Sequence, residues 1–521
     1  MTEMEMKDSP TEATGPLATD APPGFSLRPT RLGIDTHHEP VVVLRADSPV
    51  CRAEGFEAHA RIEVVGERRS IIATLNILKA GELIGTDEVG LSESAWHRLE
   101  PAAGERLRFR YAAPSDSMSH IRGKIFGSHL SENQFDAIIG EVVGGRLSNV
   151  EISAFLVACA GGRMSTAEVT SLTRAMVHTG TRMSWPHPVV VDKHCIGGLP
   201  GNRTTPIVVS IAASLGLIMP KTSSRAITSP AGTADTVETF TRVDLTLAEM
   251  HRVVEAEGGC MVWGGAMNMS PADDLLIRVE RMLDLDSEAQ LVASVLSKKA
   301  AAGSTHVVID IPTGPTAKVR SQGEAQSLLH ALRLTAHAIG LQLHGIISDG
   351  SQPVGRGVGP ALEAHDVLAV LRNDPEAPDD LRQRALQVAA AVLELGGLAQ
   401  GTVAQEMAHA ALVDGRAWRK FQAICQAQGG FHEPGVATHR HPITATRAGR
   451  VARIDNRLLA RAAKLAGAPH AKTAGLWLGA HVGEHVERDQ PLFVLHAESE
   501  GELEYALDFV RSHPALIHLE S

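Results

Sequence analysis

Aromatic side chains are scarce, 3% of 521 residues, with two tyrosines and eleven phenylalanines. The core must therefore be aliphatic, and platforms for stacking successive single-stranded bases are lacking. Positive charge is also short: 49 Lys and Arg face 60 Asp and Glu, a formal net charge of −11. That balance repels polyanions at long range but permits a local anion site, so no nucleic acid polymer is expected as a partner. The five cysteines, Cys51, Cys159, Cys195, Cys260 and Cys425, are odd in number and lack CxxC spacing. This argues against a disulfide framework or a thiolate zinc site and for a reducing, cytoplasmic setting. The longest uncharged stretch, Thr204–Pro220, contains Ser, Gly and Pro and falls short of the roughly 20 apolar residues of a membrane helix, so no membrane association is expected. Residues 1–30 are rich in acid, Thr and Pro without the apolar run of a secretory signal, and read as a disordered tail.

At about 150 residues per domain the length allows three to four domains. Short apolar bursts such as Val41–Leu44 and Ile62–Val65 suggest a small β-rich domain over 31–115. Three capping-box signals follow, Ser131 with Gln134, Ser148 with Glu151 and Ser165 with Glu168, each opening a helix-period apolar run. They predict a helical domain over 116–185, to which 271–301 would return. Between 186 and 440, β-branched runs alternate with helical stretches. Val189–Val191, Ile218–Met219, Met261–Trp263 and Val307–Ile311 read as strands, and 204–217, 233–239, 275–300, 324–339, 361–372 and 380–395 as helices, with a further capping-box helix opening at Thr246 with Glu249. The pattern is that of an α/β domain, with ligands at the carboxyl ends of the strands. Residues 441–521 read as a C-terminal α+β domain with a helix near 456–466.

The most informative segment is VVVDKHCIGGLPGNRTT, Val189–Thr205: a strand, a polar turn, three glycines, then hydroxyls opening a helix. Glycine allows close backbone approach, N–H groups at a helix start are unpaired donors, and a lysine adds full charge. Lys193 and Thr205 are thus candidate phosphate contacts. KTSSRAITSPAGTADTVE, Lys221–Glu238, follows the next strand with further hydroxyls, so adjacent strand ends would aim two loops into one crevice. Neither segment matches GxxxxGK[ST] or GxGxxG, which disfavours an ATPase or a dinucleotide dehydrogenase. His432, His439 and His441 have no acidic partner pattern for a metal, and no metal site is expected.

Together with PADD at Pro271–Asp274 and LVASVLSKK at Leu291–Lys299, these motifs closely resemble the thymidine phosphorylase family, nearest to its longer branch of AMP phosphorylases and putative thymidine phosphorylases, over about 120–515. The resemblance implies a helical domain facing an α/β domain across a cleft, a C-terminal α+β domain and a homodimer. It implies a phosphate cradle of Lys193, Cys195, Gly198, Thr205, Ser223 and Thr233. It further implies nucleoside or nucleotide contacts from Ser224, Arg225, Ala226, Ile227, Thr228, Ser229, Ser294 and Lys318. Catalytic roles would fall to Asp286 as proton donor, with His194 and Lys298.

The implied activity is a pentosyltransferase: phosphate cleaves the N-glycosidic bond of thymidine to give thymine and 2-deoxyribose 1-phosphate, with inorganic phosphate as co-substrate and no cofactor. The alternatives are a nucleoside-monophosphate (AMP, CMP or UMP) phosphorylase giving ribose 1,5-bisphosphate, a phosphoribosyltransferase of the anthranilate type, and a non-catalytic nucleotide-binding regulator. Two departures bear on the choice. Cys195 stands where the family usually has a phosphate-binding Ser, and its thiol is a weaker donor than a hydroxyl. Val279 stands where the classical thymidine enzymes carry a base-side Arg.

Overall fold

The computed structural model describes residues 26–226, 229–267, 269–285 and 287–520. The chain divides into two compact units, one comprising the chain up to Ser115 with Gly145–Val150, the other Asp116–Gly144 with Glu151–Ser521.

In the first unit, β1 (Ser26–Arg31), β2 (Val41–Arg45), β3 (Arg61–Val65), β4 (Ser70–Leu78), β5 (Glu88–Leu91) and β6 (Leu107–Tyr111) close into a barrel of order β1-β5-β2-β4-β3-β6. Alternation fills it: Val42, Leu44, Ile62, Val64, Ala73, Leu75, Leu107 and Phe109 point inward and are buried, while their neighbours face outward. Two pairings, β1 with β5 and β2 with β4, are parallel, and two short helices, Pro49–Glu54 and Glu93–Leu99, connect strands. The expected tail of residues 1–30 needs correction at its end, because Ser26–Arg31 is the first barrel strand; residues 1–25 lie outside the described residues.

The second unit opens with helices. Ser131 and Gln134 cap Glu132–Val143, and Ser165 and Glu168 cap Thr166–His178, as the S/T-x-x-E/Q spacing requires. Glu168 does more than cap. It is buried, accepts from Lys124 Nζ at 2.6 Å and from the Leu130 N–H at 2.9 Å, and faces His129 Nδ1 at 3.0 Å. Burial alone would push its carboxyl up, but Lys124 and the Leu130 and Ser165 N–H groups outweigh it and hold the group at about 2. The expected single helix over 275–300 is two, Pro271–Leu283 and Glu288–Ala301. Asp284 ends the first in a left-handed conformation at φ 48°. The second packs along Thr166–His178.

β7 (Val191–Cys195), β8 (Met219–Ser223), β9 (Gly259–Trp263), β10 (His306–Thr313) and β11 (Gln342–Asp349) are all parallel. They pair as β11-β10-β7 and β8-β9, and a single bridge between Val190 and Ile218 joins β7 to β8. The spatial order β11-β10-β7-β8-β9 reverses direction at β7, so a switch-point crevice opens between the carboxyl ends of β7 and β10. The first strand runs later than the apolar residues suggest. Asp192, Lys193 and His194, read above as a turn, are strand residues, and the first two are buried.

The C-terminal part pairs β12 (Gly357–Val358), β13 (His439–Thr444), β15 (Gly475–Leu478) and β17 (Pro491–Ala497) in one antiparallel sheet of order β12-β15-β17-β13. A second sheet holds β14 (Gly449–Ile454), β16 (His485–Val486) and β18 (Ile517–Glu520). Helix Asn456–Leu465 buries Leu459, Ala462 and Ala463 in the core the sheets share.

Candidate active site

β7 delivers Lys193 to the switch point almost fully buried, 1% exposed, with its ammonium donating to Thr204 Oγ1 at 2.7 Å. Burial pushes its pKa down, while Cys195, Asp310 and Asp192 act against that shift. Its neighbour Asp192 is fully buried, accepts from Lys299 Nζ at 2.7 Å and faces Lys221 Nζ at 3.4 Å. Burial alone would raise the Asp192 carboxyl; the two ammonium groups hold it below the usual range. Half-buried His194 is pushed well below the ordinary histidine value by burial and by Lys299, Lys298, Lys221 and Lys193, so its ring is neutral near pH 7.

The glycines after β7 serve close approach. A Cβ on Gly201, at φ 73°, would lie 2.0 Å from the Val354 carbonyl oxygen, so only glycine fits against the Ser348–Pro360 stretch. A Cβ on Gly197, at φ 95°, would lie 2.7 Å from Lys318 Cβ, which puts Lys318 directly beside this loop. Gly198 faces the second loop, where its Cβ would contact Ser229 Cβ at 3.5 Å. Cys195 Sγ accepts from Asn202 Nδ2 at 3.0 Å, and Asn202 also donates to Asp310 Oδ2 at 3.3 Å. Burial, reinforced by Asp310, pushes the Cys195 thiol up and so disfavours the thiolate that a nucleophile needs. Thr205 is buried at the first position of helix Thr205–Ser214.

The two loops meet through a residue outside the sequence-derived candidates. Arg203 donates from Nη1 to Thr233 Oγ1 at 2.8 Å, from Nη2 to the Ala231 carbonyl at 2.9 Å and from Nε to Glu363 Oε2 at 2.6 Å. On the second loop, Ser223 Oγ is buried and has no hydrogen-bond partner among the described residues. Arg225 is engaged by Glu238 at 2.6 Å and Asp235 at 3.2 Å and lies 4.7 Å from the Trp263 ring centroid. Ala226 N donates to Asp235 Oδ2 at 2.6 Å, Ser229 Oγ to the Ala231 carbonyl at 2.8 Å, and Ser224 is exposed. Ile227 and Thr228 lie outside the described residues.

On helix Glu288–Ala301, Lys298 donates to Ser294 Oγ at 3.1 Å and to Asp273 Oδ2 at 2.8 Å. The i, i+4 spacing of Ser294 and Lys298 puts them on one face. Val279 is buried at 1% exposure and supplies no charge. Asp286 lies outside the described residues. Of the functional groups not singled out from sequence, Asn202, Arg203 and Asp273 stand inside the GNRTT and PADD motifs. Asp310 and Glu363 carry no local signal.

A buried ammonium, an unpartnered hydroxyl and glycine-lined backbone at a switch point can hold a small anion, and a lysine with a serine on the neighbouring helix can meet a polar ring. Family models match accordingly. Residues 118–180 match the glycosyl transferase family helical bundle domain and 187–418 the a/b domain of that family, while 450–515 match the pyrimidine nucleoside phosphorylase C-terminal domain. These matches define a pyrimidine nucleoside phosphorylase-like glycosyltransferase family. A protein of Acidovorax sp. (strain JS42) named "Putative thymidine phosphorylase 1" is 58% identical, covering 95% of this chain and 96% of its own. A "Putative thymidine phosphorylase" of Polaromonas sp. (strain JS666 / ATCC BAA-500) is 55% identical over 97% and 98%. This chain belongs to the thymidine phosphorylase family. Anthranilate phosphoribosyltransferase from Thermus thermophilus shares the fold at 17% identity and a TM-score of 0.51, covering 59% of this chain and 98% of that one.

Proposed function

We propose that the protein is a nucleoside phosphorylase of the thymidine phosphorylase type, converting thymidine and phosphate to thymine and 2-deoxyribose 1-phosphate. The observation that carries this reading is the Arg203 tie between the two anion-competent loops. Lys193, Cys195, Gly198, Thr205, Ser223 and Thr233 hold phosphate below the sugar. A phosphate oxygen forms a bond to C1′ as the bond to the base nitrogen breaks, with inversion, and the electron pair leaves with the base. That charge separation needs an anion on one face and a cation or proton at the base. Lys298, linked to Ser294, supplies the cation, neutral His194 a hydrogen bond, and Asp286 the proton. No cofactor takes part; phosphate is the co-substrate.

A nucleoside 5′-monophosphate as substrate is the second reading. It is favoured by Val279, which leaves the base side without the classical arginine, and by Lys318 packed against Gly197. The reading includes a homodimer, for which exposed Ile125 and Phe126 offer an apolar surface, and a cytoplasmic location, which the free cysteines suit. Incubation with thymidine, uridine, AMP, CMP and UMP, with and without phosphate, separates the readings. Phosphate-dependent release of base from thymidine or uridine is expected. Release from the monophosphates alone selects the second reading, and no release from any substrate refutes both.

A further inference from the structure

We infer that Arg203 and Glu363 are positioning residues that orient the Thr233 hydroxyl to donate to phosphate; this deepens the phosphorolytic reading and rests on it. A guanidinium only donates, whereas a hydroxyl has one proton and two lone pairs. The 2.8 Å bond from Arg203 Nη1 therefore occupies a lone pair of Thr233 Oγ1 and leaves its proton to point elsewhere. Among the described residues no acceptor takes that proton. Thr233 is half-buried on the second loop, while Arg203 and Glu363 are buried.

The guanidinium cannot turn. Its three bonds end on three groups of two segments: the Thr233 side chain and Ala231 carbonyl of the second loop, and Glu363 on helix Pro360–Leu371. Glu363 is itself tied down, accepting from Thr236 Oγ1 at 3.3 Å and from the Gly359 N–H at 3.4 Å. The loops leave different strands, and the buried pair sets their spacing. Because Glu363 neutralises the guanidinium, Arg203 acts through geometry more than through its charge, and lysine should not replace it: an ammonium keeps the charge but loses the planar fork.

The test is a double-mutant cycle on the full-length protein, reading phosphate KM, nucleoside KM, kcat and melting temperature. Thr233→Val and Arg203→Lys should each raise phosphate KM about tenfold or more, as loss of one hydrogen bond to a charged group does, with nucleoside KM within about twofold. Combining them should raise phosphate KM less than about twofold beyond Thr233→Val alone, since both remove one interaction. Glu363→Gln, which keeps the shape of the carboxylate, replaces Arg203→Lys in the same cycle should the latter fail to fold. Multiplying losses in the double variant, or single variants with wild-type phosphate KM, overturn the inference while leaving the phosphorolytic reading intact. A wild-type protein with neither phosphate-dependent turnover nor a phosphate-induced rise in melting temperature overturns both.

Discussion

Replacing Lys193 by Met should separate activity from stability. The side chain is 1% exposed, and its ammonium bonds Thr204 Oγ1 at 2.7 Å. Removing one preorganised charged donor from a site where negative charge is handled costs on the order of 10²- to 10³-fold in rate, about 3–4 kcal/mol. The upper end is expected here, because the carboxylates of Asp310 and Asp192 lie near enough to influence Lys193. Without the ammonium they would repel an incoming phosphate. Stability should hold, because an apolar chain of similar length removes the desolvation cost of a buried charge, and Thr204 loses only a donor to one of its lone pairs. The assay is base release at saturating nucleoside across a phosphate series, with melting temperature measured on the same preparation. A variant whose kcat/KM for phosphate stays within tenfold of a phosphate-dependent wild type would remove Lys193 from the site.

Cys195→Ser should lower phosphate KM several-fold, because a hydroxyl is the stronger donor; an unchanged or raised KM would show that the thiol does not face phosphate. The native Cys195 thiol should resist iodoacetamide at pH 7.5, since burial and Asp310 disfavour its thiolate, and mass mapping of rapid labelling there would contradict this. Glu168→Gln should destabilise the protein by about 3 kcal/mol, from a carboxyl held at about 2 against 4.5 in the unfolded chain. Because the folded value is depressed, that contribution is complete above about pH 4.5 and is lost as pH falls toward 2. Urea midpoints of wild type and variant should therefore converge across that window, and a pH-independent gap would refute the assignment.

Helix starts were legible because a capping box is local: Ser131 with Gln134, Ser165 with Glu168 and Thr246 with Glu249 cap helices as their spacing implies. The Gly-rich segments were legible as well, since glycine at Gly197 and Gly201 records a close approach, of the Lys318 side chain and of the Val354 carbonyl respectively, that excludes a Cβ. The first strand of the parallel sheet was misplaced for a physical reason. Asp192 and Lys193 are charged yet buried, and the partner that makes this tolerable for Asp192, Lys299, comes from 107 residues away. The break between Pro271–Leu283 and Glu288–Ala301 was likewise hidden, because apolar periodicity continues on either side of it.

The sequence by itself determined where the capped helices begin and which glycine-rich loops can approach an anion, since these follow from contacts within a few residues. Only the tertiary structure decided the barrel's parallel pairings, the reversal of strand order at β7 and the Arg203 to Glu363 bond across 160 residues. Those depend on which distant surfaces bury one another and on which buried charges find partners, and no local pattern encodes that choice.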